Sequence, residues 1–347
     1  MDTPCLVVDL SIVDRNIARF QKLADSAGLK TRPHIKTHKL PFMAKRQIAA
    51  GAIGITCQKI GEAEVMADAG IKDILITYNI VGQPKLDRLA ALGRRCRLSV
   101  TCDNETVAQG LSDRFAGEPD PLPVLIECDT GAGRCGVQSP EAALSLARRI
   151  QALPGLQLEG LMTYPPMSGS EQVDQWLATA RDLLTTEGLP CPVISTGGTP
   201  NIGDLGCFRS ATEHRAGTYI YNDRYMIAFG ACGEDDCAAT VQATVVSRPT
   251  ADRAIIDAGS KVLSSDLLGL EDYGLIREAP GARIVALAEE HGTIDLAGSG
   301  WDPMVGEEIS IIPNHVCVVS NLLDAVILRH PDGRLESMPV AARGKVK

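Results

Sequence analysis

Short apolar runs alternate with amphipathic stretches up to about residue 235, after which strand-like runs separated by turns take over. At the start, Ser11 is placed to cap a helix in which Val13, Ile17, Phe20 and Ala24 recur at helical spacing, with Gly28 at its end. An extended segment then leads to Lys36. The apolar runs that follow are Ile53–Cys57, Asp73–Thr77, Arg97–Thr101, Pro123–Cys128, Gln157–Met162, Pro192–Thr196 and Arg215–Tyr221. Helix-like stretches lie between them, among them Glu62–Ala69, Asn104–Arg114, Pro140–Gln151 and Glu171–Glu187. With the strand expected to end at Lys36, this is the arithmetic of an α/β fold, a (βα)8 TIM-type barrel. An open doubly wound sheet has a similar pattern, but no Gly-x-Gly-x-x-Gly follows the first strand, which counts against a dinucleotide fold.

Beyond that point Ala239–Arg248, Ala254–Asp257, Arg283–Leu287, Glu308–Ile312, Val316–Val319 and Ala325–Arg329 read as strands. Gly292, Gly298-Ser299-Gly300, Pro313-Asn314 and Asp332-Gly333 read as turns. The expected organisation is a barrel over residues 1–235 and a smaller C-terminal β domain over 236–347. Residues 1–9 are a candidate extra strand for the second.

Composition narrows the function classes. The 347 residues are 45% hydrophobic and 22% charged, as in ordinary globular proteins. No run approaches the roughly 18 apolar residues of a membrane span, and the opening residues lack the basic start and apolar core of a signal peptide. A net charge of −9 with no basic tract argues against nucleic acid or anionic lipid as a partner. Eleven scattered cysteines fit free thiols in a reducing cytoplasm better than a disulfide framework.

Barrel chemistry sits where strands end, and Lys36, Cys57, Asp129, Tyr164, Thr199 and Thr218 fall at or just past such ends. Arg32-Pro33-His34-Ile35-Lys36-Thr37-His38-Lys39 crowds five ionisable side chains into eight residues. Neighbouring cations and desolvation would lower the pKa of a lysine there, as an amine nucleophile requires; a solvated basic turn is the plainer reading. Ser195-Thr196-Gly197-Gly198-Thr199-Pro200 and Arg215-Ala216-Gly217-Thr218 close the last two barrel strands, where glycine turns often cradle a phosphate. Arg134, on the glycine-rich loop Asp129–Gly136, either stabilises a phenolate or carboxylate or is a surface arginine. In an extended segment His315 and Cys317 share a face, a pair suited to zinc or another divalent metal, with a buried cysteine beside a satisfied histidine as the alternative. Lys261 is a rival amine.

Taken in order, the motifs around Lys36, Asp129–Gly136, Thr196–Pro200, Arg215–Tyr219, Asp257–Lys261, Glu289–Gly292 and Pro313–Cys317 resemble the D-threonine aldolase and D-serine dehydratase group. That group belongs to the alanine racemase-like fold type of pyridoxal-phosphate enzymes, and the likeness runs from Thr3 to about Leu323. The resemblance implies a homodimer using pyridoxal 5'-phosphate and a divalent metal such as Zn or Mn. Lys36 would bond the cofactor aldehyde with His34 nearby, Arg134 would approach its phenolic oxygen, and Tyr164 would lie beside its ring. Gly198, Thr199, Gly217, Thr218 and Tyr219 would surround its phosphate, and His315 and Cys317 would ligate the metal. The implied activity is a lyase on D-3-hydroxy-α-amino acids: retro-aldol cleavage of a D-threonine-type substrate to glycine and an aldehyde. The alternative is dehydration of D-serine or D-3-hydroxyaspartate to a keto acid and ammonia. Two features depart from the aldolase pattern. Many members carry Tyr-x-Gly-His after the sixth strand, where this chain has Tyr164-Pro165-Pro166-Met167, and characterised aldolases can carry His-x-Asp at the metal pair. A racemase, with Tyr273 as second base, and a non-catalytic cofactor-binding protein are weaker readings.

Overall fold

The computed structural model describes residues Met1–Lys347. The chain divides into two compact units. The first comprises Arg19–Lys36, Leu40–Gly217 and Lys345–Lys347; the second comprises Met1–Ala18, Thr37–Lys39 and Thr218–Gly344.

In the first unit eight parallel strands form one sheet: Lys30–Thr31, Ile55–Cys57, Asp73–Ile76, Arg97–Cys102, Leu122–Cys128, Leu156–Thr163, Val193–Thr196 and Glu213–His214. From Ile55–Cys57 onward each pairs with the next in sequence, and Lys30–Thr31 pairs with the last, Glu213–His214. A parallel bridge from His34 to Thr56 joins the first strand's extension to the second, so the sheet closes into a barrel. Parallel neighbours need long crossovers. These are helices such as Glu105–Phe115 and Pro140–Ala152, whose caps Asn104 and Ser139 accept from Val107 N and Ala142 N. Leu75, Leu125 and Met162 pack as a buried cluster. Gly160 is obligatory: its φ is +143°, and a Cβ there would lie 1.8 Å from the Val193 carbonyl oxygen.

Two expected strand ends differ. The strand expected to reach Lys36 stops at Thr31, and Lys36 lies in a 3-10 turn, Ile35–Thr37. Pro33 has no N–H to continue the ladder, although its carbonyl still accepts from Thr56 N at 2.8 Å. The eighth strand is Glu213–His214 rather than Arg215–Tyr221, and Thr218–Ile220 is a 3-10 turn.

In the second unit nine strands form one sheet. Arg253–Ile256, Gly292–Asp295, Arg283–Leu287, Leu275–Ile276, Glu308–Ile312 and Ala239–Thr250 follow one another, and the long last strand also pairs with Arg253–Ile256, closing a ring. Beyond Ala239–Thr250 come Cys5–Asp9, Ala325–Arg329 and Leu335–Pro339. Cys5–Asp9 runs antiparallel to the first of these neighbours and parallel to the second.

Here too local expectations give way to tertiary ones. Asp9, not Ser11, caps the first helix, Leu10–Ser26, its Oδ1 accepting from Ser11 N and Ile12 N at 2.9 and 3.2 Å. Val316–Val319, β-branched and expected as a strand, lies in the helix Val316–Leu322. The buried carboxylate of Asp223 accepts from Val316 N at 3.1 Å, satisfying a donor of its first turn and outweighing a weak strand preference.

Candidate functional site

In the barrel unit, Lys36 is half-buried between the fully buried Ile35 and Thr37. The Lys36 N–H donates to His34 Nδ1 at 3.3 Å, which leaves the imidazole proton on Nε2 to donate to Gln58 Oε1 at 3.1 Å. Gln58 in turn donates to the Thr77 carbonyl at 2.7 Å. A chain of hydrogen bonds thus orients the backbone that presents the lysine. Lys261, the rival amine, is ion-paired with Glu289 at 2.9 Å and Glu290 at 2.6 Å, and these hydrogen bonds raise its pKa well above the usual lysine value. It is held protonated, which suits a surface ion pair and not a nucleophile.

Arg134 and Tyr164, expected to share a site, are in contact: the guanidinium carbon lies 4.7 Å from the ring centroid. Arg134 also sits 3.7 Å from the carboxylate of the buried Glu127, which sequence reading did not single out. Burial raises the Glu127 pKa, against the opposing charges of Arg134 and Arg215. The loop carrying Arg134 is pinned by Asp129, whose Oδ1 accepts from Gly131 N and Gly133 N at 3.0 and 3.1 Å. Burial alone would raise that carboxyl, and these bonds more than reverse it.

Arg215 is buried and donates to the carbonyls of Thr196 and Thr163 at 2.9 and 2.7 Å. Burial lowers its pKa to about 10. Its Nε and the Thr196 hydroxyl are buried without partners, at the end of the strand that leads into Gly197-Gly198-Thr199. Gly198 adopts φ +110°, and Thr199 is buried. Unsatisfied donors beside a left-handed glycine turn suit an anionic or heteroaromatic ligand group.

In the β unit, Thr218 and the buried Tyr219 occupy the turn Thr218–Ile220. The Thr218 hydroxyl lies 3.7 Å from Cys317 Sγ, and the Thr37 hydroxyl 3.1 Å from it. His315 and Cys317 do converge, but on a helix start, His315 at the N-cap and Cys317 in the first turn, not on a strand face. Their hydrogen bond and mutual charge move both groups. Burial would lower the His315 pKa, yet Cys317 and Asp266 bring it to about 9; burial would raise Cys317, yet His315 holds it below an ordinary thiol. His315 Nδ1 is 2.9 Å from Asp266 Oδ2. Burial pushes the Asp223 carboxyl up to about 6, against backbone hydrogen bonds from Met226 and Val316. No group of three or more His, Cys, Asp or Glu is set to hold a metal. Imidazole and thiolate donors meeting beside a buried carboxylate nonetheless fit a divalent ion whose remaining positions go to water or substrate.

Thr37, Asp223 and Asp266 were not legible as site residues. Thr37 stood inside the lysine motif and Asp223 in a capping position before Arg224–Ala228, but their contacts to the His315 region span 280 and 93 residues.

The alanine racemase N-terminal domain family matches residues 8–224, and the putative serine dehydratase domain family matches residues 238–328. The D-threonine aldolase of Arthrobacter sp. is 34% identical over 99% of this chain and 93% of its own length. The D-threo-3-hydroxyaspartate dehydratase of Delftia sp. (strain HT23) is 32% identical over 97% and 96%. Among solved structures, the D-threonine aldolase from Filomicrobium marinum superposes with a TM-score of 0.89 at 33% identity, covering 100% of this chain and 97% of that one. A cysteine-to-alanine mutant of a D-threo-3-hydroxyaspartate dehydratase in a metal-free form superposes with a TM-score of 0.89 at 30% identity, covering 98% and 97%. The chain therefore belongs to the alanine racemase N-terminal domain family, with a serine dehydratase-like domain following the barrel.

Proposed function

We propose that the protein is a pyridoxal-phosphate- and divalent-metal-dependent lyase acting on D-3-hydroxy-α-amino acids, and that its reaction is retro-aldol cleavage of a D-threonine-type substrate. The observation that carries this reading is the convergence of the His315 imidazole and the Cys317 thiol at one helix start, with the Thr37 hydroxyl 3.1 Å from that thiol. The names of the relatives support the substrate class, and the metal-free form described for a cysteine mutant of one supports the metal.

Pyridoxal phosphate, when bound, supplies an electron sink for the bond broken at Cα. Lys36 would hold it through its amine. Arg134, stacked on Tyr164, would hold its phenolic oxygen, and Gly198, Thr199, Gly217 and Thr218, with the Tyr219 turn, would hold its phosphate. His34 orients the lysine backbone. His315 and Cys317 would hold a cation, which would supply Lewis acidity for a substrate hydroxyl. Cleavage of Cα–Cβ then requires a base to take the hydroxyl proton. In dehydration Lys36 takes the Cα proton instead, and the hydroxyl leaves as water.

One observation favours the second outcome. The turn Tyr164-Pro165-Pro166-Met167 carries no histidine to serve as the aldol base. Assays of the loaded protein with D-threonine, D-serine and D-threo-3-hydroxyaspartate separate the two. Glycine and an aldehyde without ammonia are expected. Keto acid with ammonia makes the protein a dehydratase, and no turnover of any of the three removes the lyase reading. The reading carries with it a homodimer and a reducing cytoplasmic setting. All eleven cysteines are free, which suits that setting, and no helix is long and apolar enough to cross a membrane.

A further inference from the structure

We infer that Asp266 and Thr37 are the positioning residues of the His315 and Cys317 pair, and that they set its affinity for a divalent cation. The inference rests on the metal reading above and adds the residues that aim the two donors.

Asp266 Oδ2 lies 2.9 Å from His315 Nδ1. A carboxylate only accepts, so the imidazole proton is drawn to Nδ1 and the Nε2 lone pair is left for a cation. The aspartate is itself fixed. Its N–H donates to Ser264 Oγ at 3.1 Å, and Ser264 adopts a left-handed φ of +67°, uncommon for a residue with a side chain. Its carbonyl accepts from Asn314 Nδ2 at 3.4 Å, and the same amide donates to the Asp272 carbonyl at 2.7 Å. Asp272 is ion-paired with Arg224. The loop carrying the aspartate is thus tied to the residue that precedes His315.

Thr37 does the equivalent for sulfur. It is fully buried, and its hydroxyl lies 3.1 Å from Cys317 Sγ, with Thr218 a second hydroxyl at 3.7 Å. A hydroxyl held at this distance fixes the direction of the sulfur and leaves its other lone pairs for a cation. Such partners of metal ligands typically contribute ~10–100-fold to affinity.

The test removes bound metal from the purified protein with a chelator and titrates it with Co(II), following the thiolate-to-cobalt charge-transfer band, then with Zn(II) against a chelating dye. The wild-type protein is expected to show the band. Thr37→Val is expected to weaken Zn(II) binding by ~10–100-fold and Thr37→Ser to restore most of it. Asp266→Asn is expected to weaken it at least as much, because an amide donating to Nδ1 would move the proton to Nε2. Denaturation midpoints of each variant show whether it is folded. Wild-type affinity in folded Thr37→Val and Asp266→Asn overturns the inference while leaving the metal reading intact. A wild-type protein with no cobalt–thiolate band overturns both.

Discussion

The guanidinium of Arg134 lies over the ring of Tyr164, 4.7 Å from its centroid, on a loop otherwise held by backbone bonds to Asp129. Planar stacking is what distinguishes arginine from lysine at such a place. Arg134→Lys is therefore expected to lower kcat by ~10²-fold, the usual loss when a stabilising donor is removed. Tyr164→Phe keeps the ring and is expected to stay within a few-fold, with Tyr164→Ala well below it. Steady-state kinetics with D-threonine decide the order.

Lys36 is expected to carry the cofactor. The loaded protein should absorb at about 410–430 nm, as lysine-bound pyridoxal phosphate does. Borohydride reduction followed by peptide mapping should place the label on Lys36. A label on Lys261 would overturn the assignment, against an ammonium already held by Glu289 and Glu290.

Metal removal separates two functions of the site. Chelation is expected to abolish turnover while the visible absorbance of the bound cofactor persists. Cys317→Ala should behave like the chelated protein; full activity in that variant would remove the metal from the reaction.

His214 links stability to pH. Its ring is fully buried against Phe20 and Phe208, at centroid distances of 5.7 and 6.3 Å, and neither nitrogen has a hydrogen-bond partner. Burial, with the neighbouring Arg215 charge, lowers its pKa from 6.5 to about 3. Between those values the unfolded chain binds a proton that the native chain does not. The contribution is thus complete above the unfolded value and falls by up to ~1.4 kcal/mol per pH unit as pH drops from 6.5 toward 3. Urea denaturation of His214→Leu should show a flatter acid limb, and an unchanged slope would exclude His214 as its cause.

Just past the first barrel strand, buried Arg32 pairs with Asp73 and donates to Glu213 Oε2 at 2.9 Å; Ser195 donates to Glu213 Oε1 at 2.6 Å. Glu213→Leu strands a buried guanidinium and is expected to cost about 3–5 kcal/mol. Equilibrium denaturation measures it, and a loss under about 1 kcal/mol would mean that Asp73 alone suffices.

The barrel was legible because its strands are short buried runs set between turns, as in Asp73–Ile76 and Val193–Thr196, and the positions just past them could be singled out before any contact was known. The misreadings arise where a distant group outweighs a local preference. Val316–Val319 has strand-forming residues, yet Asp223 caps it as a helix from 93 positions away. Ser11 is a good cap by type, but Asp9, two residues earlier, is the one that meets the free N–H groups of Ser11 and Ile12. Leu275–Ile276 has two residues and Leu335–Pro339 is mostly exposed, so neither carries a pattern. Asp266 carried no signal at all, since its importance lies in one bond to His315 across 49 residues.

The strand Cys5–Asp9 has one neighbour at Ala239–Thr250 and another at Ala325–Arg329. Both neighbours lie far downstream of it in the chain, so its backbone groups stay unpaired on one edge until Ala239–Thr250 is made and on the other until Ala325–Arg329 follows. Until then it is an apolar ribbon with two open edges, so translation arrested before Arg329 should leave a nascent chain that depends on chaperones for solubility.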